Sequence, residues 1–349
     1  MRGLEAFAFD VTDDLVAEAV ARCSREDFAR WEAQVAQAGH CLHPVRVVGH
    51  VDQIDKASGE VRRVYSTEGE PDNCLLLPCK TRRESKCPPC ADEHRGHNYH
   101  LILAGLRGGK GVPETVVSHP AVFATFTAPS FGAVHGHRTK GRQLVACRPR
   151  RDAERCRHGV RMSCAVRHHK ADPAVGTPIC PECFDYQGMV LWNRLAPLLW
   201  KRSATFSRRR LAQAAGLKVR ELKSVCAVRF AKVAEYQLRG ALHFHAVIRL
   251  DGVTDDDTLV PPPAGFTADL LEQAITETVR DLRVAGVEGL PELRWGEEVH
   301  VRHLRRGAPE DLKAEAVAAY VAKYSTKGSE SLAVGQEGPS VHIRRVVDT

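Results

Sequence analysis

An α+β fold built on an antiparallel sheet is predicted by three features of this 349-residue sequence. Two β-rich runs, Val225 to Tyr236 and Leu242 to Leu250, flank Leu238-Arg-Gly-Ala241 and read as a hairpin. Helical periodicity follows at Thr267 to Ala285 and again from Pro309 to Gly328, so strands and helices occupy one region. Two cysteine-rich segments interrupt the pattern, each with a Cys-x-x-Cys knuckle. The length suits about two domains, and an apolar fraction of 43% is enough to build ordinary cores. The formal charge of +7 favours an anionic partner. With no secretory leader pattern and no apolar run of membrane length, a soluble cytoplasmic protein with no membrane partner is expected.

At the N-terminus, Thr12 to Gly39 carries spaced apolar residues among charges. This suits one or two amphipathic helices, capped by Thr12 or Asp13. Val45 to Ile54 and Val61 to Tyr65 flank Lys56-Ala-Ser-Gly59 and predict a hairpin. Next comes the knuckle Cys87-Pro-Pro-Cys90, with Cys79 eight positions upstream. A tight turn lets two thiolates chelate Zn²⁺, and Cys79 can supply a third; Cys74, His94 and His97 are local candidates for the fourth. Val122 to Thr127, closed by Pro129, reads as a strand.

Residues 136–186 are rich in Arg, His and Cys and poor in large aliphatic side chains, so this stretch needs a staple other than a core. Cys156, Cys164, Cys180 and Cys183 are the expected zinc set, with Cys147, His158, His168 and His169 as substitutes. An alternative joins Cys87 and Cys90 to Cys180 and Cys183. Between Arg148 and Lys170 eight Lys or Arg stand against Asp152 and Glu154, as in a nucleic-acid-binding finger or a solvated loop. Tyr186 to Leu217 has helical periodicity interrupted at Pro197.

His243 and His245 lie two apart on a predicted strand, so both imidazoles share one face while Leu242, Phe244, Ala246 and Ile248 take the other. Two such histidines are either hydrogen-bonded at a surface or share a divalent cation. A two-residue turn at Arg239-Gly240 would turn Glu235 away. An odd-length connection or a bulge at Gly240 places Glu235 opposite His245 and Gln237 opposite His243. The odd-length form is the expectation, because it completes a set of two histidines and a carboxylate. Asp251 to Gly265 reads as turn and loop, and Glu298 to Leu304 as a further strand. In the last helix, Tyr320 and Tyr324 share a face, with Lys323 and Lys327 on or beside it. Histidines, a carboxylate and phenols are the parts needed for tyrosine attack on a metal-polarised phosphodiester.

Phe123-Ala-Thr-Phe-Thr-Ala-Pro129, Glu235 through His-Phe-His245 and Tyr320-Val-Ala-Lys-Tyr-Ser-Thr-Lys327 resemble the three ordered motifs of the HUH rolling-circle replication initiators. Cys79 to Cys90, Ala128-Pro-Ser-Phe-Gly132 and Cys180-Pro-Glu-Cys-Phe-Asp-Tyr186 resemble the actinobacterial plasmid initiators of the RepSA type. The resemblance covers about Cys79 to Lys327, and relatives generally continue beyond the equivalent of Thr349. It implies a ferredoxin-like antiparallel sheet, the HUH nuclease fold, at 116–330 with the zinc insertion at about 136–186. An N-terminal extension with a zinc knuckle would occupy 1–115 and a C-terminal tail 331–349. It implies a metal-dependent DNA endonuclease and strand transferase in which His243, His245 and Glu235 hold Mg²⁺ or Mn²⁺. Tyr324 is the favoured nucleophile and Tyr320 the second, assisted by Lys323 and Lys327. Single-stranded DNA at a plasmid origin, a host helicase and a host polymerase are the implied partners. An HUH transposase or relaxase, or a non-catalytic zinc-dependent DNA-binding regulator, are the competing readings.

Overall fold

A computed structural model describes residues 13–256, 258–285, 292–304, 313–327 and 341–349. The expected cap at Thr12, Asp257 and both ends of the expected 309–328 helix lie outside these residues. The chain forms two compact units, Met1–His94 and Arg95–Thr349. The division falls upstream of the 115/116 boundary drawn from the sequence.

The first unit begins with helices α1 (Asp13–Cys23) and α2 (Phe28–Gln37). Four strands follow: β1 (Val45–Val47), β2 (His50–Ile54), β3 (Val61–Ser66) and β4 (Leu75–Leu77). β2 and β3 form the expected hairpin. Its turn is set by Asp55, whose carboxylate accepts from the backbone N–H of Ala57 at 2.9 Å and of Ser58 at 2.7 Å. Val45 to Val47 leaves that hairpin and pairs instead with β4. Asp72 gathers guanidinium groups from Arg22, Arg25 and Arg46.

Helix α3 (Pro88–Arg107) carries too weak a periodicity to have been expected from sequence. Strand β5 (Ala121–Phe126) comes next, then the two-residue strands β6 (Thr139–Lys140) and β7 (Gln143–Leu144) inside the cysteine-rich insertion. Helix α4 (Tyr186–Ala214) starts at an Asp185 cap, whose side chain accepts from Gly188 N–H at 2.8 Å. The helix continues through Pro197, where the sequence predicts an interruption. One missing hydrogen bond is outweighed by the burial of Met189, Trp192, Ala196, Leu199 and Trp200 on either side of it.

Helix α5 (Val219–Val225) leads into β8 (Cys226–Tyr236) and β9 (Leu242–Gly252). Helix α6 (Ala268–Asp281) is capped by Thr267, whose hydroxyl accepts from Leu270 N–H at 3.1 Å. Strand β10 (Val299–His303), helix α7 (Ala314–Tyr324) and helix α8 (Val341–Val347) complete the described chain. Helix α8 falls where a tail was expected. His342 and Ile343 anchor it, and His342 Nε2 lies 3.0 Å from the carbonyl of Arg239.

β10, β5, β9 and β8 form one antiparallel sheet in that order. The chain path is therefore strand, helix α4, hairpin, helix α6, strand, with the first and third of these strands central. Alternation assigns the faces. Val122, Ala124, Phe126, Phe244, Ala246, Ile248 and Leu250 join the main core with α4 and α6. On the opposite face Val247 packs with Leu106 of α3 and with Val317 and Val321 of α7. This second face is where the histidines point.

Candidate active site

The odd-length hairpin is present, with a pairing two residues away from the one expected. Gln237 N–H donates to the Ala241 carbonyl at 2.9 Å, leaving Leu238, Arg239 and Gly240 as the connection. Gly240 sits at φ +85°, a backbone conformation that side chains disfavour, and Gly240 N–H donates back to Gln237 O at 2.8 Å. Glu235 thus pairs with His243, and Val233 takes the expected place opposite His245. Because the shift is even, the face is unchanged and Glu235 still stands over both histidines.

Glu235 Oε2 lies 3.0 Å from His243 Nε2 and 3.0 Å from His245 Nε2, and the two imidazole nitrogens are 3.0 Å apart. That edge length is what neighbouring ligands about 2.1 Å from an octahedral ion would show, so the donors fit a small divalent cation. Burial pushes the Glu235 carboxyl up, but hydrogen bonds to the two histidines outweigh it and hold the pKa down to about 2. The carboxylate is ionised throughout the neutral range.

The ring of His245 is buried and held on both sides. Its Nδ1 lies 3.0 Å from Thr125 Oγ1, and Phe123 stacks on it at 5.8 Å with planes 2° apart. Both supports come from β5, whose Thr125 is the cross-strand partner of His245. Neither was singled out as a site residue, since sequence does not say which strand lies beside β9. Gln237 Nε2 lies 3.5 Å from His243 Nδ1, and Gln237 Oε1 accepts from Arg239 at 2.8 Å.

Helix α7 lays both tyrosines over this centre. Tyr320 OH is 3.2 Å from His245 Nε2, and the rings of Tyr320 and Tyr324 are 4.8 Å apart. Tyr324 stacks near His245 at 5.8 Å, and Lys323 Nζ and Lys327 Nζ each lie 5.5 Å from its ring centre. Burial and the Glu235 carboxylate push both phenols up, Tyr320 the more strongly because Tyr324 adds to its shift whereas Tyr320 lowers that of Tyr324. A cleft of about 790 Å³ opens beside Tyr320 and His245, with His300 and Arg302 of β10 on its wall.

Nine of the twelve cysteines fall into three groups that could hold metal such as zinc, and Cys23, Cys74 and Cys226 lie outside them. Cys79, Cys87 and Cys90 come together as expected, and the fourth member is Cys41 in place of Cys74, His94 or His97. Cys156, Cys180 and Cys183 also come together, but His158, one of the named substitutes, completes them. Cys164 instead joins Cys147, His168 and the unforeseen His135. The bridge between Cys87/Cys90 and Cys180/Cys183 considered from sequence is replaced by these local sets. In the first group, burial raises the Cys87 thiol, yet backbone N–H groups of Cys90 and Leu42 bring it down to about 7, while burial drives Cys90 up to about 12. Four thiols so close together could all ionise only if a divalent cation were bound among them.

Among the described residues no helix is long and apolar enough to cross a membrane. The chain matches the family model described as RepSA, replication initiator protein, pSAM2, over residues 27–348. A replication initiator protein of Streptomyces ambofaciens is 43% identical to it over 317 residues. The alignment spans 88% of this chain and 64% of that protein, just under two thirds of the relative's length. No solved structure gives a significant match. With the family model covering nearly the whole chain, this protein belongs to the RepSA replication initiator family.

Proposed function

We propose that this protein initiates rolling-circle replication of a plasmid, nicking and rejoining single-stranded origin DNA through a 5′-phosphotyrosine link. The observation that carries this reading is the convergence of Glu235, His243 and His245 at 3.0 Å beneath the two tyrosines of α7. Family membership supports the replicative role. The path strand–helix–hairpin–helix–strand supports a ferredoxin-like HUH nuclease domain at 116–330. An N-terminal extension at 1–115 and a tail at 331–349 would flank it.

Tyr324 is the favoured first nucleophile: Lys323 and Lys327 flank its ring, and their charge would work against the burial and the Glu235 carboxylate that otherwise keep the phenol protonated. Its oxygen attacks phosphorus, the bond to the 3′ oxygen breaks, and that oxygen leaves as a hydroxyl after gaining a proton. The phosphotyrosyl bond keeps the energy of the broken linkage for rejoining. A divalent cation, Mg²⁺ or Mn²⁺, held by Glu235, His243 and His245 would neutralise charge developing on the scissile phosphate. Tyr320, 3.2 Å from His245 Nε2, is placed to make the second transfer. Arg302 offers the cleft a cationic wall for the strand, with His300 beside it. Structural Zn²⁺ at the Cys41 and Cys156 groups would fix the knuckles, and the insertion's basic residues would meet DNA phosphates. A host helicase and polymerase would act on the opened origin in the cytoplasm.

The test is incubation with an end-labelled single-stranded origin oligonucleotide and Mn²⁺ or Mg²⁺, followed by a denaturing gel. A covalent adduct is expected from the native chain and is lost in Tyr324→Phe and in His243→Ala. An oligonucleotide left intact by the native chain would favour a regulator that binds DNA without cutting it.

A further inference from the structure

The insertion between β5 and α4 holds more metal-ligating groups than one ion needs. We infer that it binds two zinc ions whose ligand pairs alternate along the chain, the second ion being held by His135, Cys147, Cys164 and His168. The inference rests on the zinc reading of the Cys156 group and adds a site that this reading does not contain.

The ligand atoms of His135, Cys147, Cys164 and His168 lie within 4.8 Å of one another, close enough for one tetrahedral ion. Cys147, Cys164 and His168 are buried. His168 is aimed by a carboxylate: its Nδ1 lies 2.6 Å from Asp172 Oδ2, which turns Nε2 inward to 3.4 Å from Cys164 Sγ and 3.2 Å from His135 Nδ1. A carboxylate behind a histidine is the usual support of a metal-bound imidazole. Cys147 Sγ accepts from Gly136 N–H at 3.1 Å, a contact that stabilises a thiolate. Two sulfurs and two nitrogens suit Zn²⁺.

Order along the chain gives the site its purpose. The pairs run His135 and Cys147, then Cys156 and His158, then Cys164 and His168, then Cys180 and Cys183. First and third pairs make one group, second and fourth the other. Each ion therefore closes a loop that contains ligands of its neighbour. The backbone supports the crossing: Cys147 N–H donates to Val166 O at 2.9 Å, and Arg148 and Cys164 exchange N–H···O bonds of 2.8 and 3.0 Å. The buried apolar clusters of the described residues take no member from 135–183. A segment without an apolar core gains its order from cross-links, and alternating ones tie all its loops at once.

Zinc content of the full-length protein, measured by mass spectrometry after exhaustive dialysis, is expected to be about three per chain. Cys164→Ala combined with His135→Ala should lower it by one and leave the rest. It should also release zinc from the Cys156 group several-fold faster to a chromophoric chelator, because that group loses its crossing loop. Should this variant fail to fold, zinc K-edge absorption of the native protein decides. Three sites as assigned average about three sulfurs and one nitrogen per ion, and loss of the mixed site makes the average richer in sulfur. A native content of two with no loss in the variant overturns the second ion while sparing the other zinc sites. A zinc-free folded protein overturns both, and the nicking assay, which depends on a different centre, remains a separate result.

Discussion

On the proposed reading, Thr125 should set how firmly His245 is presented to a cation, and Thr125→Val tests it. Valine has nearly the same shape and suits a strand, so β5 and its pairing with β9 are retained. The hydroxyl that lies 3.0 Å from His245 Nδ1 is lost. For Nε2 to bind metal, Nδ1 must carry the proton, and the His245 side chain is only 4% exposed, so that N–H would have no water to turn to. An unsatisfied buried donor costs about 1–3 kcal/mol. At about 1.4 kcal/mol per decade, Mn²⁺ affinity should fall roughly 5- to 150-fold, in line with the ~10- to 100-fold effect of removing such supports elsewhere. Calorimetric titration with Mn²⁺ reads this directly, and Thr125→Ser, which keeps the hydroxyl, should recover most of the loss. If Thr125→Val bound Mn²⁺ within about twofold of the native chain while His245→Ala had lost binding, the orienting role assigned to Thr125 would be wrong.

Tyr320→Phe should leave the first covalent adduct in place but impair strand rejoining, which a two-oligonucleotide transfer assay separates from nicking. Cys41→Ser should remove about one zinc per chain even though Cys41 stands 38 positions from Cys79, and unchanged metal content would exclude it as a ligand. Asp251 is fully buried between Arg249, at 2.6 Å, and His119, at 2.7 Å. Asp251→Ala should therefore cost about 3–5 kcal/mol in urea unfolding at pH 7. Burial raises the Asp251 carboxyl, but these partners outweigh it and hold its pKa below the ordinary value. Its stabilisation is thus fully present above the usual carboxylate range near 4, and disappears as pH falls through the lower folded-state value. The variant should lack that part of the acid-side loss.

What could be read from sequence was whatever depends on local period. The alternation through Leu242, His243, Phe244 and His245 assigned both faces of β9 correctly, because one face is apolar core and the other carries the histidines, and a slip of a single residue would exchange them. The four-residue spacing of Tyr320 and Tyr324 likewise put both phenols on the side that meets His245. Candidate ligands supplied from far along the chain were invisible. Cys41 has no neighbouring cysteine to mark it, and His135 is one histidine among 17. Cys164 was grouped by type with the other thiols, whereas Asp172, by aiming His168, draws the local geometry toward a mixed site. Helix α3 escaped because its polar and apolar residues are spread around the axis.

The hairpin register shows the same limit at the centre of the site. Sequence supplied its parity, and contacts from outside the hairpin supply the rest. Asn193 of α4 donates its Nδ2 to the Gly240 carbonyl at 2.8 Å and accepts from Leu242 N–H at 2.8 Å, clamping both arms of the turn. Arg239 reaches across to the carbonyls of Ala128 and Pro129, each at 3.1 Å, so the loop after β5 holds the turn from the other side. Asn193→Ala leaves two backbone groups without partners, a loss of about 1–3 kcal/mol. It also frees the turn that aligns Glu235 with His243, so Mn²⁺ affinity should weaken along with stability. Asn193→Asp, which still accepts from Leu242 but cannot donate to Gly240, should fall between. Native stability and native Mn²⁺ affinity in Asn193→Ala would show that the hairpin sets its own register. A stability loss with unchanged affinity would show that Glu235 is held by the histidines themselves.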